Sequence, residues 1–221
     1  MEGRDESVWQ PEAELISITP YPEKVIEQAY RNCWQSEPAD RGKNARRRFL
    51  RKCIGRGHTT CLEFAFATFR IVGSRAFTHQ QVRHRVASYA QESQRYVEQN
   101  DPSRVVVPPA IHADPEALEI FLVQMRSAWE AYDALLKKGI RKEDARYVLP
   151  NACKSCIFVG MNFRAWRHFL KLRCDKAAQW EIRGVALEIL KVLYHKAPAV
   201  FGDLYERFVL GKDVELWTQG D

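Results

Sequence analysis

The segment 115–138 constrains the fold more than any other part of this sequence. Asp114 can cap a helix there, Pro115 suits the first turn, and Gly139 can end the helix. Apolar side chains recur at helical spacing and form one stripe, at Leu118, Phe121, Leu122, Met125, Trp129, Tyr132 and Leu136. We therefore predict a long helix over 115–138 whose stripe packs into a core, and we assign that stripe no functional role.

The first quarter of the chain predicts one strand and two helices. Residues 13–19 favour a short strand closed by a turn at 20–22, and residues 23–34 favour a helix. A polar loop over 36–43 leads to a second helix over 44–54, which turns Phe49, Leu50, Cys53 and Ile54 inward. The charge run on its other face is typical of a solvated surface and consists of Arg46, Arg47, Arg48, Arg51 and Lys52.

The middle of the chain predicts further strands. Residues 62–72 are apolar on both faces, which favours a strand buried on each side. Ser74 can cap the helix that follows. Residues 88–96 predict a loop entering a strand, and 103–109 predict a short edge strand ended by proline.

Beyond residue 138 the pattern is helical almost throughout. Helices are predicted over 142–149 and 160–172, and a third is predicted to be capped by Asp175 and ended by Pro198. The buried face of that third helix consists of Ile182, Ala186, Ile189, Leu190 and Leu193. Since the sequence shows no repeat, low-complexity segment or linker, we predict a single domain over 1–221.

Composition narrows the class of protein without choosing a function. The 221 residues carry a net charge of +6 and a pI near 9.0, which favours anionic partners such as nucleotides, nucleic acid or acidic lipid. No apolar run approaches the roughly 18 residues of a membrane span, and the first residues lack the pattern of a signal peptide. We therefore expect a cytoplasmic protein whose six cysteines are reduced.

One stretch, 80–96, concentrates the residues suited to binding. It places Arg83, His84 and Arg85 side by side. On a helix these consecutive residues would point about 100° apart, so they would surround a large ligand rather than one atom. Arginine forks match phosphate oxygens two at a time, which favours a phosphorylated or pyrophosphate-bearing ligand. The alternative is a solvated basic helix face.

The spacing of this stretch resembles the signature of the flavin-dependent thymidylate synthases. Arg83-His84-Arg85 is followed after seven residues by Ser93 and then by Gln94-Arg95-Tyr96. Three other regions also resemble that family, in the same order along the chain: 29–34, 57–63, and a C-terminal region from Arg146 to Ile182.

The resemblance implies two sets of site residues. The cofactor-binding set is Cys33, His58, Thr60, Glu63, Arg83, His84, Arg85, Gln91, Asn162, Phe163, Arg164, His168 and Leu172, with His58 on the folate side. The substrate-binding set is Gln80, Gln81, Val82, Arg83, Gln91, Glu92, Ser93, Gln94, Arg95, Arg146 and Arg173. No metal ligand is implied.

Arg173 is the residue that the resemblance assigns to catalysis, beside the uracil ring. A permanently charged guanidinium there would stabilise negative charge on the ring. Ser93 is expected to bind substrate and not to act as a nucleophile, because no general base accompanies it at a fixed spacing.

Three positions depart from the family pattern. Cys61 stands where the family has proline, which predicts a looser turn. Ala90-Gln91 replaces Asn-Glu, so an amide that still hydrogen-bonds takes the place of a carboxylate. Ala177 stands where some relatives carry a flavin-facing histidine.

The resemblance implies reductive methylation of deoxyuridine monophosphate (dUMP) to thymidine monophosphate (dTMP). It implies 5,10-methylenetetrahydrofolate as the carbon donor and FAD, reduced by NADPH, as the hydride carrier. It also implies an α+β domain with a small antiparallel sheet flanked by long helices, and a homotetramer whose active sites are shared between chains.

Two other functions stay open at this point. The basic residues and aromatic content are compatible with a nucleic-acid-binding module, although the basic residues are split among several helices. Cys153 and Cys156 would share a face if they lay on a helix, as a thiol or metal protein requires. No second cysteine pair completes a zinc site, so packing is the preferred interpretation of these two thiols.

Overall fold

The computed structural model describes residues 12–38 and 42–217. Four strands, β1 (Glu12–Ile18), β2 (Phe66–Ser74), β3 (Ser88–Gln91) and β4 (Lys154–Asn162), form an antiparallel sheet in the order β1-β2-β4-β3. The helices of the described part are α1 (Pro22–Trp34), α2 (Lys43–Gly55), α3 (Arg75–Gln81), α4 (Pro109–His112), α5 (Pro115–Lys137), α6 (Lys142–Ala145), α7 (Phe163–Arg173), α8 (Trp180–Lys196) and α9 (Pro198–Phe208). The α+β class predicted from the sequence is confirmed.

The chain contacts divide into two compact units. The α5 unit contains 72–82 and 90–157, and the α7 unit contains 12–71, 83–89 and 158–217 within the described residues. No helix of the described residues is both long enough and apolar enough to span a membrane.

In the α5 unit the long helix forms as predicted. The Asp114 side chain accepts from the N–H groups of Glu116 and Ala117 at 3.0 and 3.2 Å, and Gly139 follows the helix with a φ of 82°. Of the predicted stripe, Met125, Trp129 and Tyr132 are buried, Leu118, Phe121 and Leu136 are partly buried, and Leu122 is 41% exposed. The core here contains Met125, Ala128, Trp129 and Cys153, with Val105, Phe121, Leu149 and Ala152 packed against it.

In the α7 unit, α7 is held on both sides. The indole N–H of Trp166 donates to the Ala67 carbonyl on β2 at 3.0 Å. The buried Arg167 pairs with Asp203 on α9 at 2.8 and 2.6 Å and also donates to the Val200 carbonyl. Because this buried pair uses two guanidinium nitrogens on one carboxylate, it fixes both the position and the rotation of α7.

Several predicted elements are correct to within a few residues. The first strand and the first two helices correspond to β1, α1 and α2, and the segment 142–149 forms α6 followed by a 3₁₀ turn at Arg146–Val148. Ser74 caps α3 by accepting from the Phe77 N–H at 2.9 Å. The predicted loop 36–43 lies partly outside the described residues.

Three strand predictions are wrong in detail. The strand predicted at 62–72 begins only at Phe66, because Thr60–Phe64 forms a 3₁₀ turn, and only one face of β2 is fully buried. In 88–96 the strand comes first, and a turn at Ser93 follows it. The predicted edge strand at 103–109 is reduced to one antiparallel bridge between Val105 and Cys153.

Three helix predictions are also wrong. Residues 154–162 form β4, so the helix predicted from 160 begins at Phe163, and the two cysteines do not lie on a helix. Asp175 caps a turn by accepting from the Ala177 N–H at 2.9 Å, whereas Gln179 caps α8. Helix α3 ends at Gln81, so Arg83, His84 and Arg85 follow it in a turn and extended chain.

The basic face of α2 is only partly solvated. Arg46 pairs with Glu27 at 2.7 Å, and Arg47 lies 3.8 Å from Glu23. Both carboxylates belong to α1, so these two arginines join α1 to α2. The solvated-face interpretation is therefore wrong for these two residues.

Candidate active site

A cleft of about 540 Å³ in the α7 unit gathers five residues of the predicted cofactor set. They are Glu63, His84, Asn162, Arg164 and His168. The rest of its lining is Gly57, Thr59, Leu62, Val86, Met161, Ala165, Arg167 and Lys171. These residues come from three separate segments of the sequence, which the fold brings to one cavity.

The N-terminus of α7 forms one wall of this cleft. Asn162 caps the helix by accepting from the Ala165 N–H at 2.8 Å. Arg164 and His168 follow one turn apart, as their i, i+4 spacing predicts. The Arg164 guanidinium donates to Glu63 at 2.7 Å, but both side chains are partly exposed and this pair contributes little to stability. A helix N-terminus beside a guanidinium is suited to binding an anion.

His84 lies at the centre of this arrangement. Its ring contacts Phe169 edge-on at 4.9 Å and His168 at 6.3 Å between centroids, and its carbonyl accepts from the Tyr89 hydroxyl at 2.7 Å. Burial lowers the pKa of His84 to about 4, and the charges of Arg173 and His168 add to that effect. The ring is therefore neutral at pH 7.

Arg173 is fixed by this neutral ring. Its Nε donates to Nε2 of His84 at 2.9 Å, so the proton of the imidazole resides on Nδ1. Among the described residues the two terminal guanidinium nitrogens of Arg173 have no hydrogen-bond partner. The structure thus orients Arg173 through one nitrogen and leaves its planar fork open to a ligand.

The turn after α2 holds His58 and Thr60. Gly57 has a φ of 80°, and the Tyr30 hydroxyl donates to the His58 carbonyl. Thr59 lines the cleft, whereas Thr60 is exposed at the start of the 3₁₀ turn. Cys61, in the place of the family proline, points into the interior, where burial and the neighbouring Cys33 raise its pKa to about 11.

The other predicted cofactor residues of the α7 unit lie outside the lining of this cleft. Arg83, Arg85 and Leu172 are exposed, as is Cys33 on α1. The Phe163 ring is fully buried, with its centroid 5.0 Å from that of Phe201.

In the α5 unit the side-chain nitrogen of Gln91 has two hydrogen-bond partners. The Gln91 side-chain nitrogen donates to the hydroxyls of Thr78 at 3.0 Å and Ser155 at 3.1 Å. This nitrogen is the atom that a glutamate at this position would lack. The departure from the family pattern therefore has a structural partner on α3 and another on β4.

Other predicted substrate residues of the α5 unit also hold partners. Glu92 accepts from Arg104 at 3.1 Å and from Gln99 at 3.2 Å, and Arg95 pairs with Glu143 at 3.0 Å. Burial would raise the pKa of Glu92, but these hydrogen bonds outweigh it and lower that pKa.

The remaining substrate residues of this unit lie near those pairs in the sequence. The Ser93 hydroxyl accepts from the Arg95 N–H at 3.3 Å, and no base contacts it among the described residues. Gln80 is half-buried, Gln81 and Gln94 are buried, and Val82 is exposed.

Sequence reasoning missed Arg75. Burial lowers its pKa, and the second cause is the charge of Arg146, a predicted substrate residue. Two guanidinium groups that repel each other would both gain from an anion placed near them. Nothing in the sequence indicates this electrostatic interaction, because the two arginines are 71 positions apart.

Comparison with known proteins shows the family of this chain. The profile of the family described as "Thymidylate synthase complementing protein" matches residues 14–199. The chain is 43% identical over 196 residues to a flavin-dependent thymidylate synthase of Geobacter sulfurreducens, covering 86% of this chain and 84% of the relative. It is 40% identical over 211 residues to one of Mycolicibacterium vanbaalenii (88% and 84%), and 40% identical over 186 residues to one of Pyrococcus furiosus (80% and 76%). The chain therefore belongs to the thymidylate synthase complementing protein family.

Proposed function

We propose that this protein is a flavin-dependent thymidylate synthase. It converts dUMP to dTMP with 5,10-methylenetetrahydrofolate as the carbon donor and with FAD, reduced by NADPH, as the source of hydride. The observation that carries the proposal is the cleft of the α7 unit, where Glu63, His84, Asn162, Arg164 and His168 meet.

The residues of the cleft fit a flavin dinucleotide. The volume of the cleft lies within the range of about 300–1,000 Å³ that is usual for ligand sites. Val86, which is 71% exposed, and the partly buried Ala165 offer apolar surface to a flat ring, and the donors beside them suit a pyrophosphate. Those donors are Arg164, Lys171, His168 and the N-terminus of α7.

The protein contributes orientation and electrostatics, while bound flavin supplies the hydride chemistry. Arg173 faces the uracil ring with the fork that His84 leaves open, and it stabilises the negative charge that develops on the ring. A neutral His84 serves this role because it accepts from Arg173 without adding a second positive charge.

The residues of the substrate-binding set have different roles according to their side-chain chemistry. Arg95 and Arg146 bind the phosphate of the nucleotide, and Arg83 binds anionic groups of the ligands. Ser93 binds the nucleotide without forming a covalent bond to it, because no base contacts its hydroxyl among the described residues. Gln91 takes no acid–base role, and because its side-chain nitrogen donates to Thr78 and Ser155, it positions substrate through its side-chain carbonyl oxygen.

We further propose that residues 1–221 act as one domain in a cytoplasmic homotetramer whose active sites combine residues of several chains. A tetramer explains the exposed apolar side chains on the first half of α5, where Ile120 is 66% and Val123 is 51% exposed. The nucleic-acid-binding alternative is weakened by the ion pairs that occupy Arg46 and Arg47.

Turnover tests the proposed function directly. Purified protein is supplied with dUMP, methylenetetrahydrofolate and NADPH, with and without added FAD, and dTMP is quantified. We expect dTMP that depends on all three substrates and on flavin. The absence of dTMP from a folded, flavin-saturated sample would refute the proposal.

A further inference from the structure

A second pocket of the α7 unit lies outside the cleft. It has a volume of about 290 Å³ and is lined by Trp34, Phe49, Lys52, Cys53, Arg56 and His58. Two helices and one turn supply these residues: the end of α1, the second half of α2, and the segment that follows α2. None of the six residues is a carboxylate.

Three aromatic rings make the pocket suitable for a planar ligand. The Trp34 ring lies 6.1 Å from the ring of Phe49 and 6.1 Å from that of His58, at interplanar angles of 88° and 79°. Tyr30 stacks beneath Trp34 at 6.1 Å and holds it in place. Because Trp34 remains 51% exposed, its surface is available to a ligand.

Two cations of this pocket have no carboxylate partner. Lys52 and Arg56 form no ion pair with any residue in 12–38 or 42–217, whereas Arg46 and Arg47 on the same helix pair with glutamates. Burial raises the pKa of the Cys53 thiol, and the charges of Arg56, Arg31 and Lys52 oppose that rise. The pocket therefore combines aromatic walls with a positive potential, which suits an aromatic carboxylate.

The size and position of the pocket indicate which part of a ligand it can bind. A volume of about 290 Å³ lies at the lower limit for ligand sites, so the pocket holds one ring and its substituent and not a whole cofactor. His58 lines this pocket, while Gly57 and Thr59 on either side of it line the cleft. A single turn of chain thus lies between the two cavities.

We propose that this pocket binds the aminobenzoyl-glutamate end of the reduced folate, with its ring against Trp34 and its carboxylates at Lys52 and Arg56. The inference rests on the proposed function, which makes a folate the carbon donor. Among the ligands of that reaction, the folate alone joins a benzene ring to free carboxylates. The nucleotide and the flavin carry phosphate groups instead.

Two double variants with the same loss of charge test the proposal. Lys52→Gln/Arg56→Gln removes the cations of the pocket, and Lys43→Gln/Arg48→Gln removes two exposed cations of α2 that do not line it. The probe is p-aminobenzoyl-L-glutamate, titrated calorimetrically into the flavin-loaded full chain. We expect wild type and control to bind alike and the pocket variant to bind about tenfold more weakly, since both contacts are solvent-exposed.

A kinetic measurement on the same proteins separates this inference from the proposed function. The pocket variant should raise KM for methylenetetrahydrofolate about tenfold and leave KM for dUMP at its wild-type value. Trp34→Phe should retain more probe affinity than Trp34→Ala. Equal probe affinity and equal folate KM in pocket variant and control would overturn the inference. A wild-type protein that makes no dTMP would refute the proposed function instead, and the titration would still decide whether the pocket binds the probe.

Discussion

In the α5 unit Glu92 and Arg95 already hold salt-bridge partners, whereas in the α7 unit Arg173 is held through a single nitrogen by a neutral imidazole. The α5 pairs join oppositely charged groups, so a phosphate that approaches Arg95 competes with Glu143. No carboxylate competes for the fork of Arg173 among the described residues. Arg173 is therefore arranged for charge stabilisation, whereas an anion that binds Arg95, or Arg164 beside Glu63 in the α7 unit, has to replace a carboxylate partner.

Among the variants that test this comparison, Arg173→Ala should cause the largest loss of turnover. An electrostatic stabiliser of this kind is worth about 2.7–4 kcal/mol, so turnover should fall about a hundred- to a thousandfold while flavin is retained. Arg173→Lys should recover only part of the activity, because an ammonium keeps the charge but lacks the planar fork. Turnover at saturating flavin and the melting temperature are measured on the same sample. Near-normal turnover together with a lower melting temperature would make Arg173 a packing residue.

Arg83→Ala should have the next largest effect. Arg83 is exposed in the turn after α3, and the proposed function gives it anionic ligands. Losing one charge-assisted contact costs about 1.5–3 kcal/mol, or roughly ten- to a hundredfold in affinity. Flavin retention and equilibrium dUMP binding are the measurements. If both match wild type, the residue has no role in binding.

His84 should make the α7 unit sensitive to acid. Its pKa is about 4 in the folded chain against 6.5 for an unperturbed histidine. Between those values the unfolded chain binds a proton that the folded chain excludes, so stability falls as pH drops through that range. Melting curves of wild type should therefore shift downward more steeply between pH 6.5 and 4 than those of His84→Asn. Parallel pH profiles would show that His84 is not held neutral.

Glu143→Gln should have the smallest effect and tests the α5 half of the comparison. Removing this carboxylate frees Arg95 from an exposed pair worth about 0–1 kcal/mol. We expect KM for dUMP to fall by no more than about fivefold, with kcat unchanged. A rise in KM would mean that Glu143 orients Arg95 for the nucleotide and does not compete with it.

Features of the fold that depend on neighbouring residues are predictable from the sequence. Helix α5 is predictable because its cap, first-turn proline and terminal glycine all lie within the helix or next to it. Five residues of the cleft lining are predictable because the motifs that contain them resemble those of a known family. Strand β4 is not predictable in this way, since a short apolar run such as 154–162 fits a buried strand and a buried helix equally well.

Sequence patterns do not predict properties that depend on residues far apart in the chain. The neutral state of His84 arises from burial together with Arg173 and His168, which lie more than eighty positions away. The lowered pKa of Arg75 likewise depends on burial and on the charge of Arg146, 71 positions away. The cap of α8 was misplaced because Asp175 is the better capping residue by type, but its carboxylate is used by a turn before the helix begins.

A flavin titration tests most directly the claim that the α7 cleft holds the cofactor. FAD is titrated into wild type, Arg164→Gln and the control Arg70→Gln, whose arginine lies on β2 outside the cleft lining, and bound flavin is followed by absorbance and fluorescence quenching. The account predicts saturable binding by wild type and control, and affinity weakened roughly tenfold in Arg164→Gln. Absence of FAD binding by the wild type, or equal affinity in all three proteins, would contradict it.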